Sequence, residues 1–80
     1  MKKKIYAEIS EYQSRIYGDG YDYSLNRKIK DEYQDDEIIL ILDKYLKRVS
    51  EDDTGVEWEG ELEEKEIKKL INELDEIFEN

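Results

Sequence analysis

The chain has 80 residues, of which 13 are basic and 23 acidic, so its formal net charge at pH 7 is −10. It contains no Cys, no His and no Pro. This length allows one small acidic domain, residues 1–80, and the missing Cys and His exclude disulfides, thiolate nucleophiles and the usual zinc ligands.

The start of the chain, Met1-Lys2-Lys3-Lys4, has the charge of a signal-peptide n-region. A signal peptide continues with an apolar segment of about 7–15 residues, but here Glu8 interrupts the apolar character almost at once. We therefore expect no export signal and no membrane span. The expected location is the cytoplasm, which is the host cytoplasm if the chain is encoded by a phage.

Two short antiparallel strands are predicted in the first third of the chain, at about residues 3–12 and 21–29. In both segments apolar and polar residues alternate, as they do in a half-buried strand. The apolar positions are Ile5, Ala7, Ile9, Tyr21, Tyr23 and Leu25. Gly18-Asp19-Gly20 lies between the segments and is a strong turn signal.

A helix is the alternative for residues 3–17. It would end before Gly18, a residue type typical of helix C-termini. Its apolar face would consist of Ile5, Ile9, Tyr12 and Ile16. The strands are preferred because Tyr and Ile are frequent here and the second strand needs a partner.

The middle of the chain predicts a helix over about residues 36–49, with Asp35 or Asp36 as a suitable N-cap. Its apolar residues follow the period of 3.6 residues. They are Ile38, Ile39, Leu42, Tyr45, Leu46 and Val49. The apolar run 38–42 alone also fits a buried strand, but the period that continues to Val49 favours the helix.

The last segment predicts a second helix over about residues 62–78. Its apolar face is formed by Ile67, Leu70, Ile71, Leu74, Ile77 and Phe78. Strands packed against two helices make an α+β domain. We expect the core to contain Leu42, Leu46, Leu70, Leu74 and Phe78.

The connector between the predicted helices, residues 50–61, resembles an EF-hand calcium loop, because Gly is its sixth residue and Glu its twelfth. The ligands would be Ser50, Asp52, Thr54 and Glu61. Ser50 stands where an EF-hand has Asp, which cuts the affinity steeply, so we expect no metal site and leave only weak calcium binding open. The preferred interpretation is a polar connector with a turn at Asp53-Thr54-Gly55 and a short extended piece at Val56-Glu57-Trp58.

We expect no enzymatic activity and no cofactor. Carboxylates are so numerous that no pair stands out as acid and base, and a core this small leaves little room for a cleft that would separate their pKa values. Gly18 and Gly20 lack the Gly and Lys that complete a phosphate-binding loop. Direct binding of nucleic acid is disfavoured because the net charge is strongly negative.

The tyrosines of the first half form a candidate contact surface. They are Tyr12, Tyr17, Tyr21, Tyr23 and Tyr33. Tyr is enriched in protein interfaces, although several of these side chains are equally expected to cover the thin core. Asp19 and Asp22 lie between them, which indicates that part of the cluster is exposed.

The second half of the chain is strongly acidic, since residues 51–66 contain nine carboxylates and one Lys. Such a surface is attracted to a basic groove and competes with nucleic acid there. We therefore predict a partner-binding surface of acidic residues with two tyrosines. It consists of Asp52, Asp53, Glu57, Glu59, Glu61, Glu63, Glu64, Tyr21 and Tyr23.

In size, acidity and lack of catalytic residues the chain resembles the small phage-encoded anti-CRISPR and DNA-mimic proteins. This resemblance implies a non-enzymatic inhibitor that binds a basic nucleic-acid-binding protein, such as a nuclease or a CRISPR effector, through an acidic face. The alternative is a small adaptor or assembly subunit that docks through its helices or its tyrosine surface. An antitoxin or immunity protein and a homodimer also fit the sequence.

Overall fold

The computed structural model describes residues 1–80 as one antiparallel sheet of five strands in the order β3-β2-β1-β5-β4, with two helices. The predicted α+β class is confirmed. The elements are β1 Lys3–Ser10, β2 Ser14–Gly18, β3 Tyr21–Ser24, α1 Glu37–Tyr45, β4 Lys47–Asp52, β5 Gly55–Leu62 and α2 Glu64–Ile77.

The preference for strands over a helix in residues 3–17 is confirmed, but this segment forms two strands rather than one. β1 ends at Ser10, whose hydroxyl oxygen accepts hydrogen bonds from the backbone N–H groups of Tyr12 and Gln13 at 3.3 and 3.1 Å. The chain then returns as β2. The prediction missed β2 because only one of its residues, Ile16, is fully buried, so its apolar signal is weak.

The second predicted strand, 21–29, is too long, because β3 ends at Ser24. The backbone N–H of Lys30 donates to the Ile77 carbonyl at 2.8 Å, and that of Glu79 donates to the Lys28 carbonyl at 2.8 Å. Residues 28–30 therefore pair with the chain that leaves α2, and not with the sheet.

The turn predicted at Gly18-Asp19-Gly20 is confirmed as the link between β2 and β3. All three residues have positive φ angles, 122°, 47° and 89°. A Cβ atom at Gly18 would also lie 2.7 Å from the carbonyl oxygen of Lys4 on β1. Glycine is therefore required at Gly18 both by the backbone conformation and by the close approach of β1.

The helix predicted over 36–49 is wrong in its last turn, because α1 ends at Tyr45 and Leu46 is already extended, with φ −126° and ψ 166°. Leu46 still reaches the core, whereas Val49 lies on β4 and is 51% exposed. The chain leaves the helix because residues 47–52 obtain backbone partners from β5. The spacing of Val49 from Leu42 and Tyr45 matches the helical period only by coincidence, because Val49 lies outside α1.

The helix predicted over 62–78 is confirmed as α2, with its ends shifted by one or two residues. Glu63 is its N-cap, and the backbone N–H of Glu63 donates to the Glu66 carboxylate at 2.9 Å. This is the reciprocal half of a capping box. The first turn of α2 is therefore specified locally by its own residues.

The core lies between the two helices and one face of the sheet, and all 14 buried residues are apolar. The five core residues predicted from the sequence, Leu42, Leu46, Leu70, Leu74 and Phe78, are all buried. Trp58, which the sequence places in a polar connector, is a central core residue on β5 and is only 1% exposed. The short extended piece predicted at 56–58 is confirmed as part of β5, but the polar connector predicted for 59–61 is wrong, because β5 continues to Leu62.

A hydrogen bond to Asp43, at the edge of the core, holds the Trp58 side chain in place. The Asp43 carboxylate accepts hydrogen bonds from the Trp58 indole Nε1 at 2.9 Å and from the Arg48 guanidinium at 2.8 and 2.7 Å. The bonds from Arg48, followed by the bond from Trp58, lower the pKa of Asp43 from 3.8 to about 2. This carboxylate joins α1, β4 and β5.

We expect Asp43→Asn to destabilise the protein at neutral pH and to have little effect near pH 2. Because the folded state lowers the pKa of Asp43, its charge stabilises the fold fully above pH 3.8, and this stabilisation is lost as the pH falls toward about 2. Urea unfolding at several pH values, followed by Trp58 fluorescence, measures the difference. Asp53→Asn, in an exposed turn, is the control. A difference between Asp43→Asn and wild type that stays constant down to pH 2 would contradict the assignment.

Candidate functional site

The sheet has an outer face that neither helix covers. On β1, β2 and β5 the buried residues point toward the helices, and the residues that alternate with them point to the opposite side. The strand register aligns these residues across all five strands. The outer face consists of Lys4, Tyr6, Glu8, Ser10, Arg15, Tyr17, Asp22, Ser24, Lys47, Ser50, Asp52, Glu57, Glu59 and Glu61.

Three of the predicted acidic residues form a straight row on this face, which we call the acidic row: Glu57, Glu59 and Glu61. They alternate with Trp58 and Gly60 on β5, so their side chains leave the sheet on the same side. Neighbours in such a row are about 6.8 Å apart. Because β5 lies between β1 and β4, the row is inside the sheet and not at its edge.

The negative charges of the acidic row are neutralised unevenly by the residues opposite them on β1 and β4. Glu61 is paired with Lys4, and Glu59 lies between Tyr6 and Lys47. Glu57, in contrast, is directly opposite Glu8 on β1 and Ser50 on β4. Glu57 therefore has no basic residue directly opposite it, while Glu8 is ion-paired with Arg15 on β2, whose Nε lies 3.9 Å from the Glu8 Oε2.

We expect Glu57→Lys to stabilise the folded protein. Like charges directly opposite each other on neighbouring strands are destabilising, and an opposite-charge pair contributes about 0.2–1 kcal/mol. The substitution turns the Glu57–Glu8 repulsion into an attraction, so Tm should rise by a few degrees, about 4–8 °C per kcal/mol in a domain of this size. Thermal unfolding followed by circular dichroism measures it, with Glu61→Lys as the control, because that change places Lys opposite Lys4. A lower Tm for Glu57→Lys than for Glu61→Lys would contradict the expected repulsion.

A shallow cleft of about 150 Å³ opens at the Glu57 end of the row. Its polar lining comes from β1, β4 and β5 and includes Glu8, Ser10, Ser50, Asp52, Thr54 and Glu57. Asp52 has a structural role here, since its Oδ1 accepts hydrogen bonds from Thr54 N, Thr54 Oγ1 and Gly55 N at 2.8, 2.6 and 3.2 Å. These bonds lower the pKa of Asp52. The turn predicted at 53–55 is thereby confirmed.

An aromatic pair lies beside the acidic row, which we call the tyrosine pair: Tyr6 on β1 and Tyr17 on β2. Their rings are stacked, with centroids 5.4 Å apart and an angle of 22° between the planes. The Arg15 guanidinium lies 4.1 Å from the centroid of Tyr17, and Lys4 Nζ lies 5.9 Å from that of Tyr6. Burial, followed by the charge of Glu8, raises the pKa of Tyr17. The pair is a half-buried aromatic centre within a charged surface.

Neither the role of Tyr6 nor its contact with Tyr17 was predicted from the sequence. The available signal was the position of Tyr6 between Ile5 and Ala7, which places its side chain on the outer face of a strand. Its partner Tyr17 is eleven residues away in the chain and comes beside it only through the β1–β2 register.

The predicted tyrosine cluster does not form one surface. Tyr21 and Tyr23 lie on the helix-facing side of the edge strand β3 and pack against the core. The Tyr23 hydroxyl donates to Asp75 and accepts a hydrogen bond from Arg27 Nη1 at 2.9 Å, and burial, followed by the bond to Asp75, raises the pKa of Tyr23 to about 12. Tyr12 is exposed in the β1–β2 turn, and Tyr33 packs against the core from the chain before α1. Partner binding by Tyr21 and Tyr23 stays a prediction.

The remaining predicted acidic residues lie away from the acidic row. Asp53 is exposed in the β4–β5 turn. Glu63 caps α2 and its Oε2 lies 3.2 Å from the N-terminal ammonium of Met1, while Glu64 is in the first turn of α2. Apart from Glu51, which lies on the helix-facing side of β4, the carboxylates of residues 51–66 therefore form two groups, one on the outer face and the β4–β5 turn and one at the start of α2.

The segment that resembles an EF-hand loop does not connect two helices. Residues 50–61 form most of the β4–β5 hairpin, with Asp53 and Thr54 in its turn. Ser50, Asp52 and Thr54 lie at the turn end, while Glu61 is near the other end of β5. The hairpin therefore replaces the helix–loop–helix geometry that an EF-hand requires.

No helix in this chain has the length and apolar character needed to cross a membrane. Comparison of the chain with protein-family models, with curated proteins and with solved structures finds no match.

Proposed function

We propose that this protein is a non-enzymatic inhibitor that binds a basic nucleic-acid-binding protein, a nuclease or a CRISPR effector, in the cytoplasm of a host cell. The outer face of the sheet is the binding surface, with the acidic row in the place of a phosphate backbone. The observation that carries the proposal is the alignment of Glu57, Glu59 and Glu61 on one strand, next to an uncovered tyrosine pair.

The charge density of the outer face supports mimicry of a nucleic acid. The acidic row has one carboxylate per about 6.8 Å, half the density of a DNA strand, which has one phosphate per about 3.4 Å. Glu8 and Asp52 belong to the strands on either side of β5, about 4.8 Å away, and add negative charge beside Glu57. Lys4 and Lys47 lie opposite Glu61 and Glu59, so the density of negative charge is highest at the Glu57 end of the face. A groove lined by Lys and Arg would attract this face.

The tyrosine pair supplies apolar contact area, which a row of exposed charges lacks. Each surface ion pair contributes at most about 1 kcal/mol, and less as salt rises. Aromatic side chains at the centre of an interface contribute more, because they bury a large area and lose little conformational entropy. Tyr6 and Tyr17 are already stacked and flanked by Arg15 and Lys4, so little ordering is needed for them to pack against a partner.

The tyrosine pair also favours a second candidate function, an adaptor or assembly subunit that docks through the same face. In that case the tyrosines dominate the affinity, and the carboxylates only form a solvated rim. The two functions differ in what competes for the partner. Nucleic acid displaces a mimic from a nucleic-acid channel, but it does not displace an adaptor from an apolar surface.

The test is a binding and cleavage assay with a panel of purified nucleases and CRISPR effectors. The mimic is expected to bind at least one of them, to inhibit its DNA cleavage, and to lose affinity both at higher salt and with excess duplex DNA. Tyr6→Ala/Tyr17→Ala lowers the affinity under either function. Binding that withstands salt and competitor DNA, without inhibition of cleavage, would favour the adaptor.

A further inference from the structure

The edge strand β4 is the most exposed regular element of the protein. All six of its residues, Lys47–Asp52, are exposed. One side of β4 pairs with β5, and its other side has no neighbouring strand. An edge of this kind presents unpaired backbone N–H and C=O groups that another strand can use.

The sequence of β4 is complementary to itself in the antiparallel direction. It reads Lys-Arg-Val-Ser-Glu-Asp, with two basic residues at one end and two acidic residues at the other. When two copies run antiparallel about the Val49–Ser50 bond, Lys47 is opposite the partner's Asp52, and Arg48 is opposite the partner's Glu51. Cross-strand pairs of opposite charge are stabilising. Parallel pairing would instead place equal charges side by side.

An irregularity in β4 makes this register geometrically consistent. In a regular strand, Lys47 and Asp52 are an odd number of residues apart and would lie on opposite faces. The pairing with β5 passes from Arg48–Trp58 to Ser50–Glu57, so Val49 is an extra, bulged residue. As a result Lys47 and Asp52 both lie on the outer face, and Arg48 and Glu51 both lie on the helix-facing side.

We propose that two copies of this protein associate through β4 to form a symmetric dimer with a continuous sheet of ten strands. The two-fold axis is perpendicular to the sheet, so the outer faces of both copies lie on the same side. The two acidic rows then run antiparallel on one surface, separated by the two β4 strands. This proposal rests on the edge strand and is independent of the proposed inhibitor function.

The dimer is expected to be weak. Two strands of six residues bury much less than the roughly 1,000 Å² of a stable interface, and each copy has a net charge of −10. Within its own chain Arg48 already donates two hydrogen bonds to Asp43 and forms an ion pair with Glu51 at 3.1 Å, so most of the new attraction comes from the two Lys47–Asp52 pairs. A dissociation constant on the order of 0.1–1 mM is expected.

The experiment is a dilution series from about 2 mM, a concentration chosen to exceed this dissociation constant. Sedimentation equilibrium measures the mass, and backbone amide NMR shifts locate the contact. We expect a monomer–dimer equilibrium and concentration-dependent shifts centred on residues 47–52. Lys47→Glu places a carboxylate opposite the partner's Asp52 and should weaken the dimer about tenfold or more.

Two further variants separate the pairing from general charge effects. Lys68→Glu, an exposed residue of α2, changes the net charge by the same amount as Lys47→Glu and should have a much smaller effect. Lys47→Glu/Asp52→Asn removes the introduced repulsion while keeping an oxygen at residue 52 for the turn, so it should recover part of the affinity. A wild-type monomer at every concentration, or a dimer weakened equally by Lys47→Glu and Lys68→Glu, would overturn the proposal.

Discussion

Replacing Leu70 by Ala is expected to destabilise the protein by about 2–5 kcal/mol, and replacing Leu42 by Ala should have a similar effect. Both side chains are 0% exposed, and they lie where α1 and α2 pack on each other. Truncation removes buried methyl groups and leaves a cavity in a core of only 14 residues. Because small domains have a total stability of about 5–15 kcal/mol, a large fraction of either variant should be unfolded near 37 °C.

Leu40→Ala is the matched control for these variants. Leu40 lies on the same helix as Leu42 and the chemical change is identical, but its side chain is 56% exposed. Substitutions at such surface positions usually change the stability by less than about 0.5 kcal/mol. Urea unfolding followed by Trp58 fluorescence gives all three values. Equal stabilities for Leu70→Ala and Leu40→Ala would show that α2 does not pack as described.

Reversing the acidic row, with Glu57, Glu59 and Glu61 all changed to Lys, is expected to weaken binding to a nucleic-acid-binding partner at least about 100-fold. Each carboxylate contributes only a fraction of a kcal/mol to about 1 kcal/mol, so single changes to Ala should have small effects. Three reversals act together, because each attraction becomes a repulsion against the same basic groove. The loss should diminish as salt screens charges beyond a Debye length of about 8 Å.

The control for this variant is Asp31→Lys/Glu32→Lys/Asp35→Lys, in the exposed chain between β3 and α1. It changes the net charge by the same amount, so it measures the effect of overall charge alone. Asp52 and Glu63 are left unchanged, since they fix the β4–β5 turn and the start of α2. Circular dichroism establishes that both triple variants fold. Equal affinities of the two variants would assign the attraction to net charge, and unchanged affinity of the acidic-row variant would leave the adaptor as the function.

Helix α2 and both tight turns could be predicted from the sequence because their signals are local. The apolar period of α2 runs without interruption, and Glu63 and Glu66 cap it with atoms of the same turn. Gly18 and Gly20 provide positive φ angles whatever surrounds them. The core residues Leu42, Leu70 and Leu74 follow from the same helical period.

Only the tertiary structure decided the conformation and burial of residues 46–62. Their apolar residues are few and interrupted by carboxylates. The extended conformation of β5 depends on backbone partners supplied by β1, far away in the chain, and β4 in turn pairs with β5. Strand preference is set by such neighbours more than by the residues themselves. For that reason the last turn of α1 was predicted wrongly, and β4, the full length of β5 and the burial of Trp58 were not predicted.

Some features of the candidate site could likewise be predicted from the sequence, and others depend on the tertiary structure. The sequence by itself determined that the second half is rich in carboxylates, and it identified Glu57, Glu59 and Glu61 individually. Which carboxylates share a surface depends on register, since a shift of one residue would turn the acidic row toward the core. The pairing of β1 with β2 and β5 is also what brings Tyr6 beside Tyr17 and Glu8 opposite Glu57. Composition therefore determined the charge of this protein, and long-range strand pairing decided the face on which that charge lies.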